Sequence, residues 1–198
     1  MGEQMDRVAD FFFELGMLKR TPRTGFFFLG SGEESVAEHS FRTAAIGYTL
    51  GKLCPEADER QVALICLFHD VAEARTGDMN YVHKKYDTAD EPQAEADLCA
   101  GLPFGPEIAD WLRDFREGDA LEVRLAKDAD QLDLLCSLVT ERDRGNRQAD
   151  EWIPFLLERL QTEQGKDLAR AINSATSERW WFANKGEYWV KAEGPGGP

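Results

Sequence analysis

The segment ALICLFHDVAEARTGD, residues 63–78, ends an apolar run with His69 and Asp70 side by side, followed by Glu73 and Asp78. An ionised carboxylate beside a buried stretch needs a positive partner. A divalent metal held by imidazole and carboxylate supplies that charge. The chain has three histidines, His39, His69 and His83. His39 lies one turn into a capped helix and His69 late in a buried one, whereas His83 reads as an exposed loop residue. Successive helical residues differ by about 100°, so His69 and Asp70 converge on one point from neighbouring directions. Glu73 is i+4 from His69 and i+3 from Asp70, on the same face one turn later. That puts Glu73 near a metal without making it a ligand. Asp78 follows Gly77 at the helix end, where a loop residue can turn back over the pocket. The competing reading is a solvated, acidic helix end.

A fourth ligand must come from elsewhere. AKDADQLDLL offers Asp128, Asp130 and Asp133 on a helix whose apolar face carries Leu125, Ala129, Leu132 and Cys136. Asp133 lies closest to the middle of that face and the other two flank it. Periodicity alone does not choose Asp130.

The elements that must position these residues read as helices. MDRVADFFFELGMLKR has apolar residues at helical spacing and ends on Lys19 and Arg20, which suit a helix C-terminus. TPRTGFFFLGSGEE is punctuated by Pro and Gly and reads as an ordered loop or short extended segment. SVAE is a capping box, Ser35 with Glu38, opening a helix that carries His39 and stops before Pro55. Asp58 caps the next expected helix, ERQVALICLFHDVAEAR, apolar on nearly every side and therefore central. Further helices are expected at PQAEADLCAGL, PEIADWLRDFRE, ALEVRLAKDADQLDLLCSLVTERDRG, EWIPFLLERLQTEQ and KDLARAINSATSERWWF. There is no alternating strand pattern and no repeat. The expectation is one all-α domain over residues 1–190, a compact multi-helix bundle, with a mobile tail at 191–198.

Composition narrows the function. The chain has 198 residues and a net charge of −14, which argues against a nucleic-acid polymer as partner. A small anionic substrate remains compatible, because a metal ion reverses the local field. No apolar run reaches the ~18 residues of a membrane span, and the start lacks the pattern of a secretory signal. A soluble, cytoplasmic protein is expected. Cys54, Cys66, Cys99 and Cys136 form no C-x-x-C pair and read as buried, reduced thiols. The aromatic triples Phe11–Phe13 and Phe26–Phe28 read as core, and RWWF at 179–182 as packing or an oligomer seam.

The order H…HD…D resembles the HD-domain superfamily of metal-dependent phosphohydrolases. Within it, the blocks RTGFFF, ESVAEHSFRTA, LFHDVAEARTGD and AKDADQL look like the family of small 5′-deoxynucleotidases and related HD-domain proteins. The resemblance implies one divalent metal on His39, His69, Asp70 and Asp130, the last aligned after the Lys-x-Ala pattern. It also implies catalytic carboxylates at Glu73 and Asp78, and a phosphate-contacting arginine at Arg23. Some members place Trp directly after that arginine, against the sugar; here Thr24 and Gly25 follow. Two imidazoles and two carboxylates suit Mn²⁺, Co²⁺, Fe²⁺ or Zn²⁺ better than Mg²⁺. The expected reaction is removal of phosphate from (deoxy)nucleoside 5′-monophosphates by a homodimer. Alternatives are hydrolysis of another nucleotide, a nucleoside triphosphate or guanosine tetraphosphate, or a non-catalytic metal-bound nucleotide sensor.

Overall fold

A computed structural model describes residues 2–183 of the chain. Its regular structure is helical: α1 (Gly2–Leu15), α2 (Phe26–Leu29), α3 (Val36–Leu53), α4 (Glu59–Phe68), α5 (Glu73–Thr76), α6 (Tyr81–Tyr86), α7 (Glu91–Cys99), α8 (Gly105–Glu117), α9 (Leu121–Asp143), α10 (Arg147–Leu157), α11 (Glu163–Ser174) and α12 (Arg179–Phe182). A 3₁₀ turn, Gly16–Lys19, follows α1. One isolated antiparallel bridge joins Pro22 to Ser35. The expected tail at 191–198 lies outside the described residues.

Helices α3, α4 and α9 form the centre. The long helix α9 buries Leu125, Ala126, Ala129, Leu132, Leu135 and Leu138 completely. Fully burying one such leucine is worth about 1.5–3 kcal/mol, so this face fixes how α9 lies. Gly47 lets α3 approach α4: a Cβ there would stand 2.4 Å from Cys66 Sγ. Gly51 does the same one turn on, where a Cβ would meet the Glu59 backbone at 2.5 Å. Helices α10 and α11 complete this larger core. A smaller one gathers Phe11, Leu18, Val36, Val71, Leu98, Ile108 and Leu112. Along α3, Val36 belongs to the smaller core and Leu50 to the larger, with His39 between them.

The expected caps are present. Ser35 Oγ accepts from the Glu38 N–H while Glu38 Oε2 accepts from the Ser35 N–H, and Asp58 accepts from the Arg60 and Gln61 amides. The first expected helix gives way to the 3₁₀ turn after Leu15, and three others are interrupted. The span 59–75 breaks after Phe68. There the Cys66 carbonyl accepts from His69 Nδ1 at 2.8 Å. The following amides tighten to i→i+3 bonds, Val71 to Phe68 and Glu73 to Asp70. The span 151–164 also breaks, because Thr162 caps a new helix through the Gly165 amide. The span 166–182 ends at Ser174 and resumes only as the short α12. Each Phe triple puts one ring in the core: Phe11 and Phe26 are buried, and Phe12, Phe13, Phe27 and Phe28 are exposed. Trp180 and Trp181 are exposed as well.

Cys54, Cys66 and Cys99 are buried free thiols, and Cys136 is half-buried and free. Among the described residues no helix is long and apolar enough to cross a membrane.

Candidate metal centre

His39 comes from the first turns of α3, His69 from the C-cap of α4, Asp70 from the break that follows, and Asp130 from α9. Donor atoms of His39, His69 and Asp70 lie within 4.8 Å of one another. The two Nε2 atoms stand 3.2 Å apart. Asp70 Oδ2 is 3.4 Å from His39 Nε2 and 3.2 Å from His69 Nε2. Asp130 Oδ1 is 3.2 Å from His39 Nε2 and 3.9 Å from His69 Nε2.

The outer faces of the rings explain why both Nε2 atoms turn inward. His69 Nδ1 faces the Cys66 carbonyl oxygen, which only accepts, so Nδ1 carries the hydrogen and Nε2 offers a lone pair. His39 Nδ1 faces Asp133 Oδ2 at 2.7 Å, with the same result. Phe115 packs against the His69 ring, centroids 4.9 Å apart. Gln131 Nε2 donates to Asp130 Oδ2 at 3.0 Å, leaving Oδ1 to the centre. Two nitrogen lone pairs and two carboxylate oxygens therefore share one focus. They repel one another unless a cation or a proton lies among them. Burial opposes a charged His39 ring, yet hydrogen bonds to Asp130 and Asp133 outweigh it and push that ring up to about 10. The same demand for positive charge suits a divalent ion, and two imidazoles with two carboxylates are a fitting donor set.

The remaining residues named from the sequence surround this focus. Arg23 Nη1 donates to Asp70 Oδ2 at 3.2 Å, and Nη2 is 4.0 Å from Asp130 Oδ1. Burial opposes the Arg23 charge, but Asp70, Asp130, Asp78 and Glu73 more than offset it and hold the guanidinium firmly protonated. Asp70 answers in kind: burial would raise it, and His69, His39 and Arg23 hold it well below the usual carboxylate range. Glu73 stands beside the group. Burial, with Asp70 and Asp78 adding repulsion, pushes its carboxyl up to about 9. Its Oε2 is buried with no hydrogen-bond partner.

Asp78 is turned toward the Arg23 loop. Its Oδ2 accepts from the Thr24 N–H at 2.5 Å and lies 2.7 Å from Thr24 Oγ1, to which Asn80 Nδ2 donates at 3.1 Å. His83, on the exposed α6, lies 3.2 Å from the same Asn80 amide. The three aspartates of AKDADQLD separate cleanly. Asp130 faces the two Nε2 atoms, Asp133 backs His39, and Asp128 caps the turn before α11 through Gln161 and Thr162. Sequence reasoning did not assign Asp133 to His39, nor find Gln131, Thr24 or Asn80. The one available signal was Asp133 itself, a carboxylate at the centre of an apolar face that had to find a buried partner.

Residues 15–172 match the model of the HD domain. Over 137 residues the chain is 27% identical to the 5′-deoxynucleotidase HDDC2 of Danio rerio, covering 66% of this chain and 68% of that protein. A conserved hypothetical protein from Pyrococcus furiosus superposes with a TM-score of 0.70 at 27% identity, over 84% of this chain and 99% of the other. The crystal structure of a protein named a predicted metal-dependent phosphohydrolase, from Magnetospirillum magnetotacticum, gives a TM-score of 0.67 at 24% identity, over 85% of this chain and 90% of the other, a likeness of fold. The matched span, residues 15–172, takes in most of the helices and the elements that carry His39, His69, Asp70 and Asp130: this chain belongs to the HD-domain family.

Proposed function

We propose that the chain is a metal-dependent phosphohydrolase that removes phosphate from nucleoside 5′-monophosphates, deoxynucleotides among them. His39, His69, Asp70 and Asp130 hold one divalent transition metal in this reading. The observation that carries it is the meeting of Arg23 with Asp70 and Asp130 at the point where the two Nε2 atoms converge. A guanidinium beside a metal site suits a phosphate monoester: the fork would bind two phosphoryl oxygens, and an ion held by the four ligands would offset charge on the phosphoryl group. The name of the Danio rerio relative supports the choice of substrate class.

The roles follow from the surroundings. When bound, the ion supplies Lewis-acid charge to the phosphoryl group and makes water more acidic. Arg23 binds and orients the phosphate, and Asp78 with Asn80 holds the loop that presents it by fixing Thr24. Glu73 handles the proton. Burial, Asp70 and Asp78 raise its carboxyl, and a divalent charge nearby would lower it again, so the group is placed to take or give a proton. Phe115 packs against the His69 ring on one side of the site.

Phosphate release tests this reading, measured across ribo- and deoxyribonucleoside 5′-monophosphates with Mn²⁺, Co²⁺, Fe²⁺ and Zn²⁺ in turn. Nucleoside triphosphates and guanosine tetraphosphate serve as the competing substrates. Turnover of monophosphates above that of the metal alone is expected. Turnover confined to the competing nucleotides would move the substrate assignment. No turnover of any nucleotide by the metal-loaded protein would leave a binding protein.

A further inference from the structure

Asp133 is fully buried and divides its carboxylate between His39 and Arg42. Oδ2 receives His39 Nδ1 at 2.7 Å and Oδ1 receives Arg42 Nε. Arg42 lies on α3 three residues after His39, and its Nη2 reaches Ser137 Oγ at 2.6 Å, Glu34 Oε1 at 2.7 Å and the Asp133 carbonyl at 3.2 Å. The Glu34 side chain is only 9% exposed. The same residue's carbonyl accepts from the Arg23 N–H at 2.8 Å. Val36 N–H donates to the Thr21 carbonyl at 2.9 Å, so the Arg23 loop and the entry to α3 run as one short antiparallel pair closed by the Pro22–Ser35 bridge.

We propose that Arg42 and Glu34 are positioning residues for the metal centre: through Asp133 they fix the tilt of His39, and through the Glu34 backbone they join that ligand to the Arg23 loop. The proposal rests on the metal-centre reading above. The reason is geometric. A carboxylate bonded only to His39 is free to rotate about its χ2 and to carry the ring with it. The planar Arg42 fork, held at Nη2 by Glu34 and Ser137, presents Nε to Oδ1 in one orientation and leaves Oδ2 aimed at Nδ1. His39 Nε2 then points into the centre in one direction. Outer partners of metal-bound histidines act in this way and their loss weakens metal binding by about 10–100-fold. Glu34 sets the guanidinium with its side chain and Arg23 with its backbone, so one residue places the metal ligand and the phosphate-binding arm together.

A lysine at position 42 offers a point donor in place of a fork, so it serves Asp133 or the Glu34–Ser137 pair but not both. Glutamine at position 34 keeps an oxygen for Arg42, and alanine removes it. The test is Co²⁺ binding by chelator competition, with the visible absorption of the bound ion read in parallel, on wild type, Arg42→Lys, Glu34→Ala and Glu34→Gln. Arg42→Lys and Glu34→Ala are expected to bind Co²⁺ about tenfold or more weakly, with an altered spectrum. Glu34→Gln should stay within about threefold of wild type, a difference of roughly 0.6 kcal/mol. A helix staple without this role would lower the melting temperature and leave affinity and spectrum alone. Wild-type affinity and spectrum in either Arg42→Lys or Glu34→Ala overturns the proposal, as does a loss in Glu34→Gln equal to that in Glu34→Ala. Absence of Co²⁺ binding by the wild type overturns it together with the metal-centre reading.

Discussion

Replacing Asp128 by alanine should unfold the chain at a lower temperature while leaving its metal in place. Asp128 is fully buried on α9. Its carboxylate accepts from the Gln161 N–H at 2.7 Å, the Thr162 N–H at 2.8 Å and Thr162 Oγ1 at 2.6 Å. Thr162 Oγ1 in turn accepts from the Gly165 N–H at 3.0 Å and opens α11. Alanine removes the acceptor and leaves the buried Thr162 N–H and the half-buried Gln161 N–H without their partner. Each unsatisfied buried donor costs about 1–3 kcal/mol, and weakening the cap adds about 1 kcal/mol. A loss of about 4 kcal/mol follows from these ranges. For a chain of this size each kcal/mol moves the midpoint by about 2–4 °C, so the shift should be about 10 °C. Gly165→Ala should act on the same joint, because its Cβ would stand 2.2 Å from Asp128 Oδ2. Thermal unfolding with excess chelator, and metal content of the folded protein, measure both effects. A wild-type melting temperature refutes the capping account. Metal loss from folded Asp128→Ala, with retention in Asp130→Asn, would reverse the assignment of the two aspartates.

Arg23→Ala should keep its metal and fold and lose about two orders of magnitude in catalytic efficiency, consistent with roughly 3 kcal/mol for a charge-assisted contact; Arg23→Lys should recover part. Steady-state kinetics on a nucleoside monophosphate checks this, and wild-type efficiency in Arg23→Ala contradicts it. Glu73→Gln should stabilise the metal-free protein in a pH-dependent way. Burial lifts the Glu73 carboxyl from its ordinary 4.5 to about 9, so between these values the folded chain binds more protons than the unfolded one and stability falls as pH rises. The melting temperatures of wild type and Glu73→Gln in excess chelator should therefore diverge from about pH 5 toward pH 9; a gap independent of pH contradicts the burial argument. Gly47→Ala should destabilise by about 1–3 kcal/mol, since its Cβ meets Cys66 Sγ at 2.4 Å and pushes apart the helices that carry His39 and His69. Denaturant unfolding measures it, and a neutral result would mean that Cys66 moves aside freely.

Two helix starts were legible in the sequence through their local caps, whereas the Thr162 cap that opens α11 was not. Ser35 with Glu38 marked the start of α3, and Asp58 that of α4, because a capping side chain bonds amides within its own turn. The break at His69 was not legible. It depends on one imidazole taking the Cys66 carbonyl, a bond that periodicity cannot register against an otherwise helical pattern. The i+3 and i+4 spacing that brings Glu73 near the centre requires a continuous helix. Glu73 is beside the centre all the same, because an i→i+3 turn also returns a residue to the side of Asp70. The aspartates of α9 show where a helical wheel runs out. Asp133 at the middle of the apolar face and Asp128 at its flank are equally buried, and only their partners on α3 and before α11 tell them apart. The Phe triples misled for a related reason: three consecutive aromatic residues cannot share one face of a helix, so a single ring of each reaches the core.

Metal content decides the central claim most directly. Wild type purified with Mn²⁺ or Co²⁺ and passed through a desalting column should carry one ion per chain by elemental analysis. His69→Ala, Asp70→Ala and Asp130→Asn should carry none, and Glu73→Ala should carry one. A folded wild type without metal, or full occupancy in folded His69→Ala, Asp70→Ala or Asp130→Asn, would contradict the account, and a metal-free Glu73→Ala would make that carboxylate a ligand.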